Sequence, residues 1–219
     1  MQLAGKVCVI TGASRGIGQA IAQAFGAAGA RLAVCASSAA PDVPAAVSER
    51  CDVSRTDEVE RFFRLVEQRL GPPDVVVLNA GVLERAPIEQ LTDAQWDRVV
   101  GVNLRGAFLC ARAAWPALAR TKGRLVAIGS ISGTVGTAHA AAYNASKWGL
   151  TGLVKSLAEE GRGAGIFCGI VLPAGVDTGM LRATPFQPRI SADDVARVAG
   201  FLAAEAPFGM TGSAVEVFG

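Results

Sequence analysis

The sequence has one tyrosine and one histidine among its 219 residues, and its formal net charge is only +2. So small a charge excludes the basic surfaces that bind nucleic acid or membranes. No secretory signal pattern and no run of about 18 apolar residues is present, so we expect a cytoplasmic protein without a membrane anchor.

The five cysteines form neither a CxxC pair nor a Cys/His cluster, which excludes the common zinc and redox motifs. Most lie within apolar runs. They are predicted to be buried thiols of a protein in a reducing compartment, and we expect no metal site.

Strand and helix patterns alternate along the whole chain. Hydrophobic residues make up 51% and no linker divides the sequence, so we expect one domain over residues 1–219. Five runs are apolar on both faces, as in parallel strands covered on both sides: KVCVIT, RLAVCA, DVVVLN, RLVAIGS and IFCGIVLP. Weaker strand candidates are AVSERC and AVEVF. Helical periodicity covers 15–28, 56–70, 93–119, 142–161 and 191–204. The alternation predicts an α/β fold with a doubly wound, mostly parallel seven-stranded sheet and helices on both faces.

The connection between the second and third predicted strands is too short for a helix. It contains Pro41 and Pro44 within the residues between Ala36 and Ala46. Parallel neighbours normally need a dozen or more residues to cross over. An extended chain of about ten residues still spans ~33 Å, so we keep the strand and predict that the crossover helix is missing.

A glycine-rich turn, TGASRGIGQA, follows the first strand and begins the first helix. Gly12, Gly16 and Gly18 would let the backbone turn tightly and approach a pyrophosphate at the helix N-terminus. The pattern lacks the lysine of a nucleoside-triphosphate P-loop. It predicts a dinucleotide site, with a plain strand–helix turn as the alternative.

The end of the second strand indicates which dinucleotide would bind. An acid about 20 residues past the glycines would bind the ribose of NAD, but Ala36, Ser37 and Ser38 stand there. Arg15 would pair with a 2′-phosphate, unless it is only an exposed first-turn arginine. NADP(H) is favoured and NAD(H) stays open.

The single tyrosine, Tyr143, lies one helical turn before Lys147. One interpretation is a packing aromatic beside a solvated charge. The other is a proton donor whose pKa the neighbouring ammonium lowers toward the range in which acid–base catalysis works.

Seven short motifs follow one another in a characteristic order: TGASRGIG, CDVS, LNAG, VNLRG, IGSISG, YNASK and PAGVDT. With them the chain resembles the classical short-chain dehydrogenase/reductase family, and it is most similar to the 3-oxoacyl-ACP reductase branch. The resemblance implies a Rossmann fold, an NADP(H)-dependent reduction of a carbonyl, and a homodimer or homotetramer. His139 is expected in a pocket wall or an exposed loop, outside the catalysis.

The resemblance also implies roles for individual residues. The catalytic tetrad would be Asn103, Ser130, Tyr143 and Lys147. Ser130 would bond the substrate oxygen, and Asn103 would hold a water that links Lys147 to solvent. The cofactor would be held by Gly12, Ser14, Arg15, Gly16, Ile17, Gly18, Ser37, Ser38, Asp52, Val53, Asn79, Ala80, Gly81, Tyr143, Lys147, Pro173, Val176 and Thr178. Plainer roles remain open: Asp52 would cap a turn, Asn103 would satisfy helix backbone, and Ser130 would end a strand.

Three departures from the family pattern affect these expectations. The family's NNAG is LNAG here, and its PG is Pro173-Ala174 with glycine following at Gly175. Residues 179–190, GMLRATPFQPRI, replace a longer substrate lid that often holds two helices. We expect a short, mobile cover and an open pocket, which suits a bulky or carrier-tethered substrate or a site completed by a neighbouring subunit.

Three functions are compatible with the sequence. The first is an NADP(H)-dependent carbonyl reductase, with 3-oxoacyl thioesters as candidate substrates. The second is an NAD-dependent alcohol dehydrogenase of the same family. The third is a catalytically idle NADP(H)-binding regulatory protein, although such a protein would not need Ser130, Tyr143 and Lys147 together.

Overall fold

Seven strands form one parallel sheet in the computed structural model, which describes residues 2–219. The strands are β1 (Val7–Thr11), β2 (Arg31–Ala36), β3 (Val47–Arg50), β4 (Val75–Leu78), β5 (Arg124–Ile128), β6 (Phe167–Pro173) and β7 (Ala214–Val217). Their order in the sheet is β3-β2-β1-β4-β5-β6-β7, and every neighbouring pair is parallel. The strand order reverses between β1 and β4, which is where open α/β sheets bind ligands, outside the carboxyl ends of the strands.

Helices cover both faces of this sheet. They are α1 (Gly16–Ala27), α2 (Thr56–Leu70), α3 (Asp93–Val100), α4 (Gly106–Thr121), α5 (Ala141–Gly161) and α6 (Ala192–Ala204). One buried cluster joins α2, α4 and α5 to the sheet through side chains such as Phe62, Leu109 and Leu150. A second joins α1 and α6 to the other face through Ile21 and Val195. The predicted doubly wound α/β fold is confirmed.

The predicted absence of a crossover helix after β2 is also confirmed. Residues 37–46 are described throughout and contain no helix. The segment returns along β2, where Ala46 N donates to Leu32 O at 2.9 Å and Ser48 Oγ donates to Pro41 O at 2.7 Å. These bonds hold β3 in register without a crossover helix.

The helix predicted over 93–119 is wrong in one respect, because it is interrupted. A π-helical turn, Gly101–Arg105, separates α3 from α4. A π turn inserts one extra residue into the helical repeat, and such turns occur frequently at functional sites. Thr92 forms a capping box with Gln95 at the start of α3, and Ser191 forms one with Asp194 at the start of α6, where the sequence predicts caps.

The segment after β6 has no α-helix, as its two prolines predict. It makes only a 3₁₀ turn, Leu181–Ala183, before a bridge between Val176 and Ile190 closes its base. Arg189 N donates to Gly175 O at 2.8 Å beside that bridge. The short cover is therefore present, and its mobility stays a prediction. No helix within residues 2–219 is long and apolar enough to cross a membrane.

Candidate active site

The glycine turn between β1 and α1 is packed tightly against the residues that follow β4. Gly12 and Gly16 have φ of 69° and 56°, which L side chains rarely adopt. A Cβ on Gly12 would lie 2.7 Å from Ala80 Cα, and one on Gly18 would lie 2.3 Å from Gly12 O. Asn79 Nδ2 donates to Thr11 O and Gly12 O, each at 2.9 Å. Asn79 therefore fixes the turn to the end of β4.

The N-terminus of α1 suits an anion. Arg15 is its N-cap residue and gives no side-chain cap, and no acidic residue lies in the first turn. Free N–H groups and the helix dipole at such an end attract phosphate. Ala13 N donates to Cys35 O at 3.1 Å, which places this loop beside the end of β2. Ser37 and Ser38 follow there and are exposed, as are Ser14 and Arg15.

Asp52 and Val53, two of the predicted cofactor-binding residues, also have structural roles. Asp52 Oδ1 accepts from Ser54 N at 2.9 Å and from Ser54 Oγ at 2.8 Å, so this carboxylate caps its own turn. Val53 is buried, and a Cβ on Gly106 would lie 2.7 Å from its Cγ2. Asp52 thus caps its turn, and its contact with the cofactor stays a prediction.

Three of the four predicted catalytic residues are brought together by β5 and α5. Ser130 follows the end of β5, while Tyr143 and Lys147 occupy the first two turns of α5. Lys147 Nζ donates to Ile128 O at 2.9 Å and lies 5.6 Å from the centroid of the Tyr143 ring. Only 4% of Lys147 is exposed, so the helix carries its ammonium group into the core beside the strand end.

The electrostatics of this group differ from the sequence-based expectation. Burial raises the pKa of Tyr143. A hydrogen bond with the Ser130 side chain lowers this pKa, but its effect is smaller than that of burial. Burial lowers the pKa of Lys147 to about 8. The expectation that Lys147 lowers the pKa of the phenol is not met here, because burial of the phenol is the largest effect on this pKa and raises it. At neutral pH the phenol therefore keeps its proton, which is the state that a proton donor requires.

Asn103 lies inside the π-helical turn and is almost fully buried, with 1% exposed. Its Oδ1 accepts from Val82 N at 2.8 Å, and its Nδ2 donates to Val82 O at 2.9 Å and to Ser146 Oγ at 3.0 Å. Gly81 lies between this amide and Lys147, since a Cβ there would be 3.4 Å from Asn103 Oδ1 and 3.8 Å from Nζ. The side-chain bonds satisfy backbone and Ser146, and the water-holding role stays a prediction.

Ser146 is a site residue that the sequence analysis missed. Its Oγ is fully buried, accepts from Asn103 Nδ2 and donates to Tyr143 O at 2.7 Å. The available signal was its spacing, because a serine three residues after a helical residue can bond back to that residue's carbonyl. Ser146 thereby connects the π-helical turn to the catalytic helix.

A cleft of about 580 Å³ joins Ile17 of the glycine turn to the predicted catalytic residues Ser130 and Tyr143 at the carboxyl edge of the sheet. The predicted site residues that line it are Ile17, Ser130, Tyr143, Pro173, Val176 and Thr178. The remaining predicted residues lie outside its lining. His139 is exposed and also lies outside it, as the loop interpretation expects. Within residues 2–219, no group of three or more metal-ligating side chains is found.

The departure at Gly175 has a packing reason. A Cβ there would lie 2.8 Å from Gln187 O, within the cover segment. Glycine at this position therefore lets the cover lie directly against the end of β6.

Replacing Ser146 by alanine tests this buried connection. Ser146→Ala would leave one Asn103 N–H without its acceptor, and we expect the free energy of unfolding to fall by about 1–3 kcal/mol. Ser156→Ala is the matched control, because Ser156 is exposed on the same helix. Urea denaturation measures both, and equal stability of the two variants would contradict the assigned contact.

Comparisons with known proteins agree with this geometry. The family profile for short chain dehydrogenase matches residues 6–188. The chain is 38% identical to 3-oxoacyl-(acyl-carrier-protein) reductase MabA of Mycobacterium tuberculosis, covering 96% of this chain and 90% of that protein. It is 36% identical to acetoacetyl-CoA reductase of Shinella zoogloeoides, covering 98% and 97%. The solved aldohexose dehydrogenase of Thermoplasma acidophilum is 29% identical, with a TM-score of 0.92 over 98% of this chain and 93% of that one. The chain thus belongs to the short-chain dehydrogenase family.

Proposed function

We propose that this oxidoreductase uses NADP(H) to reduce a carbonyl to an alcohol, with Tyr143 as the proton donor. The observation that carries the proposal is the cleft whose lining includes Ser130 and Tyr143 together with Ile17 of the glycine turn and Thr178 beyond β6. A nucleotide along the carboxyl edge would place its reactive end beside the only tyrosine of the chain.

The residues present fit a dinucleotide. The uncapped N-terminus of α1 and the glycine turn would hold the pyrophosphate. Pro173, Val176 and Thr178 would hold the amide of the nicotinamide, and Lys147 would reach the ribose hydroxyls. Bound there, the nicotinamide supplies a hydride to the carbonyl carbon.

The protein's own residues then manage the oxygen. The Ser130 hydroxyl donates to the carbonyl oxygen and stabilises the charge that develops on it. Tyr143 transfers its proton to that oxygen and becomes a phenolate. The Lys147 ammonium, 5.6 Å from the ring centroid, favours this phenolate until solvent returns the proton.

NADP(H) is proposed over NAD(H) because of the charges near the end of β2. Ser37 and Ser38 stand where an acid would bind the NAD ribose, and Arg15 is exposed on the adjacent loop. A 2′-phosphate would find a guanidinium and hydroxyls there, and no carboxylate follows the strand directly.

A 3-oxoacyl thioester is the proposed substrate class. Two of the relatives are named for the reduction of acyl-carrier and CoA thioesters. The short cover leaves a cleft that would admit a long, carrier-tethered chain from one side.

Tyr143→Phe tests the assignment of the proton donor. It removes the transferable proton and keeps the ring, so we expect kcat/KM for acetoacetyl-CoA to fall about a hundred- to ten-thousandfold. NADPH affinity, measured by fluorescence titration, should stay unchanged. Oxidation of NADPH and of NADH is followed in parallel. A wild-type protein that binds NADPH and reduces no carbonyl in a broad panel would favour the regulatory alternative.

The pH dependence of NADPH binding tests Lys147. A lysine with a pKa of about 8 is charged below that pH and loses its proton above it. Because charge-assisted hydrogen bonds are the stronger ones, we expect NADPH to bind about tenfold more weakly once the pH has risen through 8. Lys147→Met should abolish this pH dependence of NADPH affinity. Lys155→Met should retain it, because Lys155 is an exposed lysine of the same helix. Wild-type affinity that does not change with pH would refute the role.

We also propose that the protein forms homodimers or homotetramers through α4 and α5. Phe108 on α4 is 42% exposed and Trp148 on α5 is 54% exposed. Exposing such large apolar side chains to water is unfavourable, and contact between subunits would bury them. Sedimentation should give a multiple of 22.4 kDa, and Trp148→Glu should lower it. A monomeric wild-type protein would contradict this arrangement.

A further inference from the structure

Among the residues that the structure describes, two arginines are the only charged ones that line the cleft. Arg85 lies in the segment after β4, and Arg189 lies at the base of the cover. The other polar side chains of the lining are serine, threonine, tyrosine and glutamine, and none is a carboxylate. The described lining is therefore positive as well as largely apolar.

Protein carboxylates do not neutralise this pair. Glu84, the neighbour of Arg85 in the chain, forms an ion pair with Arg98. Asp177, near the base of the cover, pairs with Arg182. Among the ion pairs of residues 2–219, none includes Arg85 or Arg189. Neither arginine of the cleft lining is therefore paired with a carboxylate of the described residues.

Arg85 is held in position by two contacts from opposite sides. One of its Nη atoms donates to Ala138 O at 2.9 Å, on the approach to α5. Its Cζ lies 5.6 Å from the centroid of the Phe186 ring, on the cover. A guanidinium has further N–H donors in a planar fork that matches carboxylate and phosphate. Fixing that fork in advance lowers the entropy lost when an anion binds.

Arg189 belongs to the cleft lining at the base of the cover. Its backbone N–H is bonded to Gly175 O, which fixes the residue where the cover meets the end of β6. Pro173 and Val176 of the same edge line the cleft beside it. The two arginines therefore line the same cleft as Ser130 and Tyr143, one beside the approach to α5 and the other at the base of the cover.

We propose that Arg85 and Arg189 form a subsite for an anionic group, a carboxylate or a phosphate, on the carbonyl substrate. The subsite rests on the proposed function only in taking that anion to be part of a compound reduced at Tyr143. It explains how a cleft with so open a cover selects a substrate, because an anion offers a strong and directional contact.

Two matched pairs of probes distinguish the sources of the anion. Acetoacetate against its ethyl ester tests a carboxylate on the substrate itself. Acetoacetyl-CoA against S-acetoacetyl-N-acetylcysteamine tests a phosphate on a carrier arm. We expect the wild-type enzyme to prefer the anionic member of at least one pair in kcat/KM. The pair that shows the preference identifies the source.

Arg85→Gln and Arg189→Gln should each lower kcat/KM for the anionic probe about tenfold and leave the neutral probe unchanged. Arg85→Lys should restore part of the preference, since it returns the charge. Arg182→Gln is the matched control, because Arg182 is an arginine of the same cover that lies outside the cleft lining. Its preference should equal that of the wild type.

Calorimetry separates this inference from the proposed reaction. 3-Hydroxybutyrate and its ethyl ester are titrated into the protein with NADP⁺, so binding is measured without turnover. Stronger binding of the acid, lost in Arg85→Gln, supports the subsite even if no carbonyl is reduced. Equal kcat/KM within both pairs together with equal binding of acid and ester would overturn the subsite and leave the proposed reaction standing.

Discussion

A buried ammonium group bonded to one backbone carbonyl positions the proposed catalytic residues of this protein. The Nζ of Lys147 donates to Ile128 O at 2.9 Å, and this bond fixes α5 against the end of β5. Tyr143 lies one turn earlier on that helix, and Ser130 lies two residues beyond Ile128 on the strand side. One contact therefore sets the position of all three groups. Its cost is electrostatic, because burial opposes the charge and lowers the pKa of the lysine to about 8.

A second buried contact holds the same helix from the opposite direction. The amide of Asn103 bonds both backbone groups of Val82 after β4, and it reaches α5 through Ser146. The π-helical turn carries this amide between the two elements. Breaking one member of such a buried network leaves another polar group unpaired, so the contact is costly to lose. The catalytic helix is consequently held to β5 by one polar contact and to the end of β4 by another.

Local patterns in the sequence were enough to predict most of the fold. Helix α2 was predicted at 56–70 and observed there, and the prolines between β2 and β3 correctly excluded a crossover helix. The break at Gly101–Arg105 was missed because its cause is the tertiary contact of Asn103 with Val82. The pKa of Tyr143 was assigned the wrong direction because burial, which dominates it, depends on residues distant in the chain. The glycine turn was recognisable from the spacing of its glycines. The hydrogen bonds by which Asn79 fixes that turn could not be predicted from the spacing.

Residues of the short cover lie at the surface, whereas the proposed catalytic groups lie deeper in the protein. Phe186 is 49% exposed on the cover, whereas Lys147 behind the catalytic tyrosine is 4% exposed. Coulomb interactions near the surface are weakened by water and salt, and those in the interior are not screened to the same degree. In the proposed function, charges at the mouth would affect which substrate enters and how tightly it is held. The barrier to proton transfer would depend instead on the deeper groups around Tyr143, where a fixed dipole or charge stabilises the transition state more strongly. A cover of this length would then change its side chains, and with them the substrate, while β5 and α5 keep Ser130 and Tyr143 in place.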